Sequence, residues 1–465
     1  MSKEESLVGH PRASSASLGN PGPGEPDGPG FPESQRGEDE APVSEEGRPA
    51  LGTRIYRGAR AAATDPRTLG VLRAFPRAAG FMTQASRRTA TAAADDTVIP
   101  VRPSAGLAAQ VFLDEVMIAM FRHPRLLPHD EDYELAAADI AAASALGTER
   151  GWLDDPRKYH ETPSAPEEVA CALRRTAGMR YEHLSYPSGW EPHPGEPGRE
   201  RWLSHEPNRT AHAWVARASA REDSGSWLVC VHGFGMGHSP LLDLRAFRAP
   251  QLHALGVNVA VPVLPLHGPR ASGSTRGEGL MTIDLVDSMH GLAQAAWDVR
   301  MLIASLRRDY GARRVGLFGH SLGGCVVALT AALEDDLACV IAGIPVVDLP
   351  DLFRRHSPPE IASRAYRQGV LGPSADLVHR VISPLSMPCR VPVDGRYVFA
   401  GLGDRMATFG HARRLWLHWE RPALATYHGG HVGFFWSATV KRFVDEALVR
   451  SGLAEGHPAY PAAVD

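Results

Sequence analysis

The chain of 465 residues lacks any apolar run long enough to cross a bilayer. Its start, Met1-Ser2-Lys3-Glu4-Glu5, has no basic stretch leading into an apolar core, so no secretory signal is expected there. Arg87-Arg88 is followed by Asp95-Asp96 where an export signal would need a hydrophobic segment. Cysteine is scarce: 5 residues, odd in number, scattered and without a C-x-x-C pair. Cys230, Cys325 and Cys339 fall within apolar runs and read as reduced core residues. That usage fits a cytoplasmic protein and argues against a disulfide framework or a zinc site. Neither sign of charge dominates, with 49 Lys and Arg against 53 Asp and Glu. Such a balance gives no general attraction to nucleic acid or to an anionic membrane. No internal repeat is visible, which excludes a solenoid or propeller.

What is present changes along the chain. Residues 1–50 are rich in Gly, Pro, Ser and Glu and almost free of aliphatic side chains. They cannot bury enough surface to offset ordering entropy, so disorder is expected. Residues 51–104 turn basic, with Arg54, Arg57, Arg60, Arg67, Arg73, Arg77, Arg87 and Arg88. This stretch is expected to be a flexible, solvated, partly helical arm. Contact with a membrane surface through it is not favoured, and no nucleic-acid partner is expected. Residues 105–178 should form a helical extension. Apolar spacing predicts helices over 107–121 and 132–145, and Ser164-Ala165-Pro166-Glu167 reads as the capped start of a third.

From 179 to 452, strand and helix patterns alternate. Apolar runs over 226–231, 257–264, 315–318, 337–344 and 397–402 are separated by helical segments, and the first strand, 180–186, reads as an edge strand. Such alternation predicts an α/β fold with a mostly parallel, doubly wound sheet. Residues 346–392 are broken by prolines and sit where a short lid could be inserted. Residues 453–465 read as a C-terminal tail.

The centre of the pattern is Gly319-His320-Ser321-Leu322-Gly323-Gly324, between a buried strand and an Ala-rich helix. G-x-S-x-G in that context is a nucleophile elbow, a turn so tight that side chains flanking the serine would clash. A serine hydroxyl attacks only if a histidine takes its proton, and the histidine needs a carboxylate to fix its tautomer. The chain order Ser, acid, His is met by Ser321, by Asp404 after one buried strand, and by His431 after the next. Asp348, after the preceding strand, is the alternative acid. His428 competes less well with His431, and His320 inside the elbow reads as packing or substrate contact. An oxyanion would need two preorganised donors: the backbone N–H of Leu322 and that of Phe234, in the loop His232-Gly233-Phe234-Gly235. His232 should hydrogen-bond within that loop.

These residues, together with Gly403-Asp404 and Gly430-His431, resemble the α/β-hydrolase superfamily over residues 179–452. The resemblance implies a carboxylic-ester hydrolase of the serine esterase or lipase type, acting on a small-molecule ester without metal or organic cofactor. An acyltransferase, a peptidase of the same fold, or a non-catalytic binding module on that scaffold are the alternatives. The oxyanion loop departs from the H-G-G-G form by placing Phe234 at its third position. The sequence carries no signal for the oligomeric state, and the helical extension matches no recognised family.

Overall fold

Nine strands form one sheet in the order β1-β2-β3-β5-β4-β6-β7-β8-β9. This is a computed structural model of the chain, and it describes residues 66–91, 101–121, 128–219, 223–273, 277–280 and 282–455. The segment expected to be disordered, 1–50, and most of the tail lie outside these residues. Strands β4 (Ser226–Val231), β5 (Val257–Pro262), β6 (Arg314–His320), β7 (Leu337–Gly343), β8 (Arg396–Gly401) and β9 (Ala423–Tyr427) pair in parallel. β1 (Ala170–Thr176), β2 (Met179–Pro187) and β3 (Thr210–Ala216) extend the sheet antiparallel beyond β5. With helical crossovers on both faces, this is the α/β-hydrolase fold expected from the sequence.

Side chains alternate across the sheet because successive Cβ atoms point to opposite faces. Val229 and Val231 of β4, Leu317 of β6 and Val398 of β8 enter one core. Helices α7 (Leu285–Asp309), α8 (Leu322–Leu333) and α12 (Phe409–His418) contribute to that core. Leu228, Cys230, Phe318 and Phe399 enter the other core, with residues of α5 (Pro240–Ala246), α6 (Ala249–Ala254) and α13 (Ala438–Arg450). The helical segment between β4 and β5 is broken into α5 and α6 where Arg248 takes a left-handed conformation, φ 58°. Leu453 and Ala454, placed in the tail by the sequence, are buried in this second core.

The N-terminal region differs most from expectation. The stretch expected to be a flexible, partly helical arm includes helix α1 (Pro66–Thr91), and this helix is packed rather than solvated all round. Its buried Ala78 packs on Leu107 and Val111 of α2 (Ala105–Phe121), with Phe81, Met82 and Phe112 around them. Small alanines let the two helices approach, a signal hidden by the arginines around them. Helix α3 (Asp130–Glu149) runs past Gly147, which packs on Leu153 instead of ending the helix. The third expected helix is strand β1. Its exposed side chains, Leu173 among them, follow neither helical nor strand periodicity. β1 takes the sheet edge, so β2 is internal. Residues 346–392 form helices α9 (Leu349–His356), α10 (Pro359–Arg367) and α11 (Pro373–Val378). These are anchored by buried Ala365, Val370 and Ala375, and Arg364 lies over the Tyr133 ring of α3 at 4.6 Å.

Candidate active site

The chain leaves β6 at His320 and enters α8 at Leu322, so the whole reversal falls on Ser321. Its backbone is left-handed, φ 57° and ψ −116°, which a residue with a Cβ adopts only under strain. The neighbours enforce it. A Cβ on Gly319 would collide with the Gly323 carbonyl, and one on Gly323 with the carbonyls of Val231 and His232. The Ser321 N–H donates to the Gly343 carbonyl at 2.9 Å, pinning the elbow between β4 and β7.

The structure brings three of the sequence-selected side chains together. His431 Nε2 lies 3.0 Å from Ser321 Oγ, and His431 Nδ1 lies 2.7 Å from Asp404 Oδ2. Asp404 Oδ1 accepts the N–H groups of Met406 and Ala407, at 2.8 and 2.9 Å, which aims its other oxygen at the ring. With Nδ1–H donating to the carboxylate, Nε2 is the lone-pair nitrogen facing the hydroxyl. Burial opposes charge on His431, but Asp404 beside it, with a smaller contribution from Asp114, raises its pKa above the ordinary value.

Asp348 is placed elsewhere. It caps α9, with Oδ1 accepting the Asp351 N–H at 2.8 Å and Oδ2 accepting Arg414 at 2.6 Å. His320 is packing: its ring stacks on Phe247 at 4.6 Å and lies 4.3 Å from Phe434, and burial holds its pKa down to about 3. A cavity of about 510 Å³ borders it, lined by Phe247, Phe318, Phe434 and Phe435; neither Ser321 nor His431 lines it.

Leu322 opens α8, where first-turn N–H groups have no intrahelical acceptor. Gly233, before Phe234, runs beside the nucleophile: a Cβ there would stand 3.5 Å from Ser321 Cβ. The loop between them is braced by two histidines. His232 Nδ1 donates to the Gly233 carbonyl at 2.9 Å, and its Nε2 accepts the Leu264 N–H at 3.1 Å. His267 Nδ1 donates to the Pro265 carbonyl at 2.8 Å, and its Nε2 accepts the Gly235 N–H at 3.4 Å. Burial holds both neutral, with pKa values lowered to about 4 and about 3.

Sequence reasoning missed residues on α2. Asp114 is fully buried, and its carboxylate accepts the His431 N–H, at 3.0 and 2.8 Å, and the Arg405 N–H at 3.0 Å. Gln110, one turn earlier, accepts the Gly430 N–H at 2.9 Å. The signal was the pair Asp114-Glu115 in the middle of a helix whose only other polar side chain is Gln110. Buried carboxylates need partners, and none is available within the helix.

No family model matches the chain. It is 40% identical to "Uncharacterized protein MT2702" of Mycobacterium tuberculosis strain CDC 1551 / Oshkosh, over 76% of this chain and 84% of that protein. The figures are the same for "Uncharacterized protein Rv2627c" of strain H37Rv. Among solved structures, acetyl xylan esterase 1 from Thermoanaerobacterium sp. JW/SL YS485 aligns at a TM-score of 0.41 and 16% identity, over 64% of this chain and 98% of that one. The strand order and the turn at Ser321 give the α/β-hydrolase fold, and the chain belongs to one family with these two mycobacterial proteins.

Proposed function

We propose that the protein is a serine hydrolase that cleaves a carboxylic ester through an acyl-enzyme intermediate. The observation that carries this reading is the hydrogen-bonded chain from Ser321 Oγ through His431 to Asp404, at a strained elbow. Nothing structural calls for a left-handed serine there, and strain of this kind costs roughly 1–3 kcal/mol.

In this mechanism Ser321 Oγ attacks the ester carbonyl while His431 Nε2 takes its proton. The carbonyl π electrons move to oxygen, and the N–H groups of Leu322 and Phe234 hold that oxyanion. Its collapse expels the alkoxide, which leaves as the alcohol with the proton from His431. Water, deprotonated by the same nitrogen, then attacks the acyl-serine, and release of the acid restores Ser321. Asp404 keeps Nδ1 protonated and stabilises the imidazolium throughout. The chemistry requires no metal or cofactor. The substrate is a small-molecule ester, with no nucleic-acid partner. Among the described residues no helix is long and apolar enough to cross a membrane, and a cytoplasmic setting fits the scattered, unpaired cysteines.

A fluorophosphonate probe tests the reading, since it phosphonylates an activated serine. Labelling of the wild type and none of Ser321→Ala is expected. An unlabelled wild type would sink the mechanism in favour of a binding module. A series of p-nitrophenyl esters of rising chain length then reads the acyl preference. Added alcohols or amines separate hydrolysis from acyl transfer, and a peptide amide substrate separates esterase from peptidase.

A further inference from the structure

Resting on the serine-hydrolase reading, we propose that Asp114 is a positioning residue of the catalytic machinery. Its carboxylate, supplied by the N-terminal helix α2, fastens the acid loop and the histidine loop together and adds negative charge beside the His431 imidazolium. The extension then completes the active site.

The geometry is specific. The nitrogens that Asp114 binds belong to His431 itself and to Arg405, the neighbour of Asp404. One rigid carboxylate therefore sets the spacing of the two loops whose side chains must meet at 2.7 Å. Gln110, on the same face of α2, holds Gly430. The fit leaves no slack: a Cβ on Gly430 would stand 2.9 Å from Asp114 Oδ2, and Cβ atoms on Gly429 or Gly433 would run into Gln110. Glu115 binds the Arg405 guanidinium at 2.9 Å and lies 3.8 Å from Arg77 of α1, so the next residue tethers the acid loop a second time.

A carboxylate is an expensive filler here. An apolar side chain of similar size would avoid the desolvation cost, and what the carboxylate adds is direction and charge. Asp404, His431 and Tyr427 are the titratable groups facing it; the Arg405 guanidinium is turned to Glu115. Burial, then the nearby Asp404, pushes the Asp114 carboxyl up to about 7. Asp114 in turn adds to the upward shift of His431. Charged His431 and the two backbone N–H groups pull the Asp114 carboxyl back down, so the carboxylate stays ionised beside the imidazolium, and a neutral side chain in its place should lower the histidine's pKa.

The test uses the full chain as wild type, Asp114→Asn and Asp114→Glu. It reads p-nitrophenyl acetate turnover against pH, the fluorophosphonate labelling rate, and thermal unfolding. Asn is isosteric, but it removes the charge, and an amide NH2 in the place of either oxygen meets a backbone N–H, donor against donor. We expect Asp114→Asn to lower kcat at least about tenfold with little change in KM, because misplacement of this kind acts on the reacting geometry. Its acid limb should move to lower pH. Asp114→Glu keeps the charge, so its limb should stay at the wild-type position while kcat falls. If the wild type labels and Asp114→Asn keeps the wild-type kcat and acid limb, the proposal fails alone. A loss of kcat with an unmoved limb would equally reduce Asp114 to packing. Should Asp114→Asn not fold, a folded Asp114→Glu decides: reduced kcat at an unmoved limb supports the proposal, and wild-type kcat or a shifted limb overturns it. A wild type that neither labels nor turns over would overturn both this proposal and the hydrolase reading beneath it.

Discussion

Gly319 and Gly323 meet across the elbow so closely that a methyl group on the first would occupy the space of the second's carbonyl oxygen. The obstruction is backbone against backbone, and no rotamer change relieves it. Gly319→Ala should therefore cost more than about 3 kcal/mol or prevent folding, well above the usual effect of a single substitution. Gly410→Ala, whose Cβ would meet nothing closer than Thr408 Oγ1 at 3.5 Å, is the control and should unfold at the wild-type temperature. Thermal melts of the pair check this, and equal melting temperatures would refute the crowding argument.

Ser321, Asp404 and the outlying Asp348 should separate in kinetics. Asp404→Asn should slow turnover roughly 10³- to 10⁴-fold by presenting the wrong histidine tautomer, with circular dichroism unchanged. Ser321→Ala should abolish covalent labelling. Asp348→Asn should cost less than about tenfold in rate. Asn keeps an oxygen for the α9 cap and loses only the ion pair with Arg414, so it should lower stability by less than about 1 kcal/mol. A large rate loss at Asp348 with a small one at Asp404 would reverse the assignment of the acid.

Acid should switch the enzyme off from an unusually high pH. The base form of His431 is the neutral ring, and Asp404 with Asp114 raises its pKa above the ordinary value. Activity is then complete above that raised value and falls as pH drops through it, starting above the value of about 6.5 for a free histidine. The pH dependence of kcat/KM reads this directly. A profile flat down to about pH 4.5 would exclude a histidine base.

Helix α2 should be integral to the fold. Leu107 is buried, touches the Gly403 backbone beside Asp404, and packs on Ala78 of α1. Leu107→Ala should cost about 2–5 kcal/mol as a cavity mutation. Activity should fall together with stability, since the same helix carries Asp114. Denaturant titration and turnover on one preparation measure both, and a loss below about 1 kcal/mol would mean that α2 is loosely attached.

The elbow, the parallel strands and the order of Ser321, Asp404 and His431 were legible because each is local: an apolar run, a glycine pattern, a loop at a strand end. β1 was not, since its partner is β2 and its own residues are largely solvent-facing, leaving no periodicity to read. Helix α1 was hidden by the arginines spaced along its sequence. The role of α2 depends on a contact between Asp114 and His431, residues far apart in sequence. Only tertiary packing makes it, and the local pattern shows no more than an acidic pair that needs a partner.

The neutral histidines around the elbow carry a further consequence, for the lifetime of the protein outside neutral solution. His232, His267 and His320 are held to pKa values of about 4, 3 and 3, and His160 and His290, also buried, to about 4. In the unfolded chain each would titrate near about 6.5. As pH falls below that value the unfolded state binds protons that the folded state refuses, and stability drains until the folded rings protonate as well. Mild acid thus acts on this protein twice. It protonates His431 reversibly, and it loosens the loops that hold Ser321 in place.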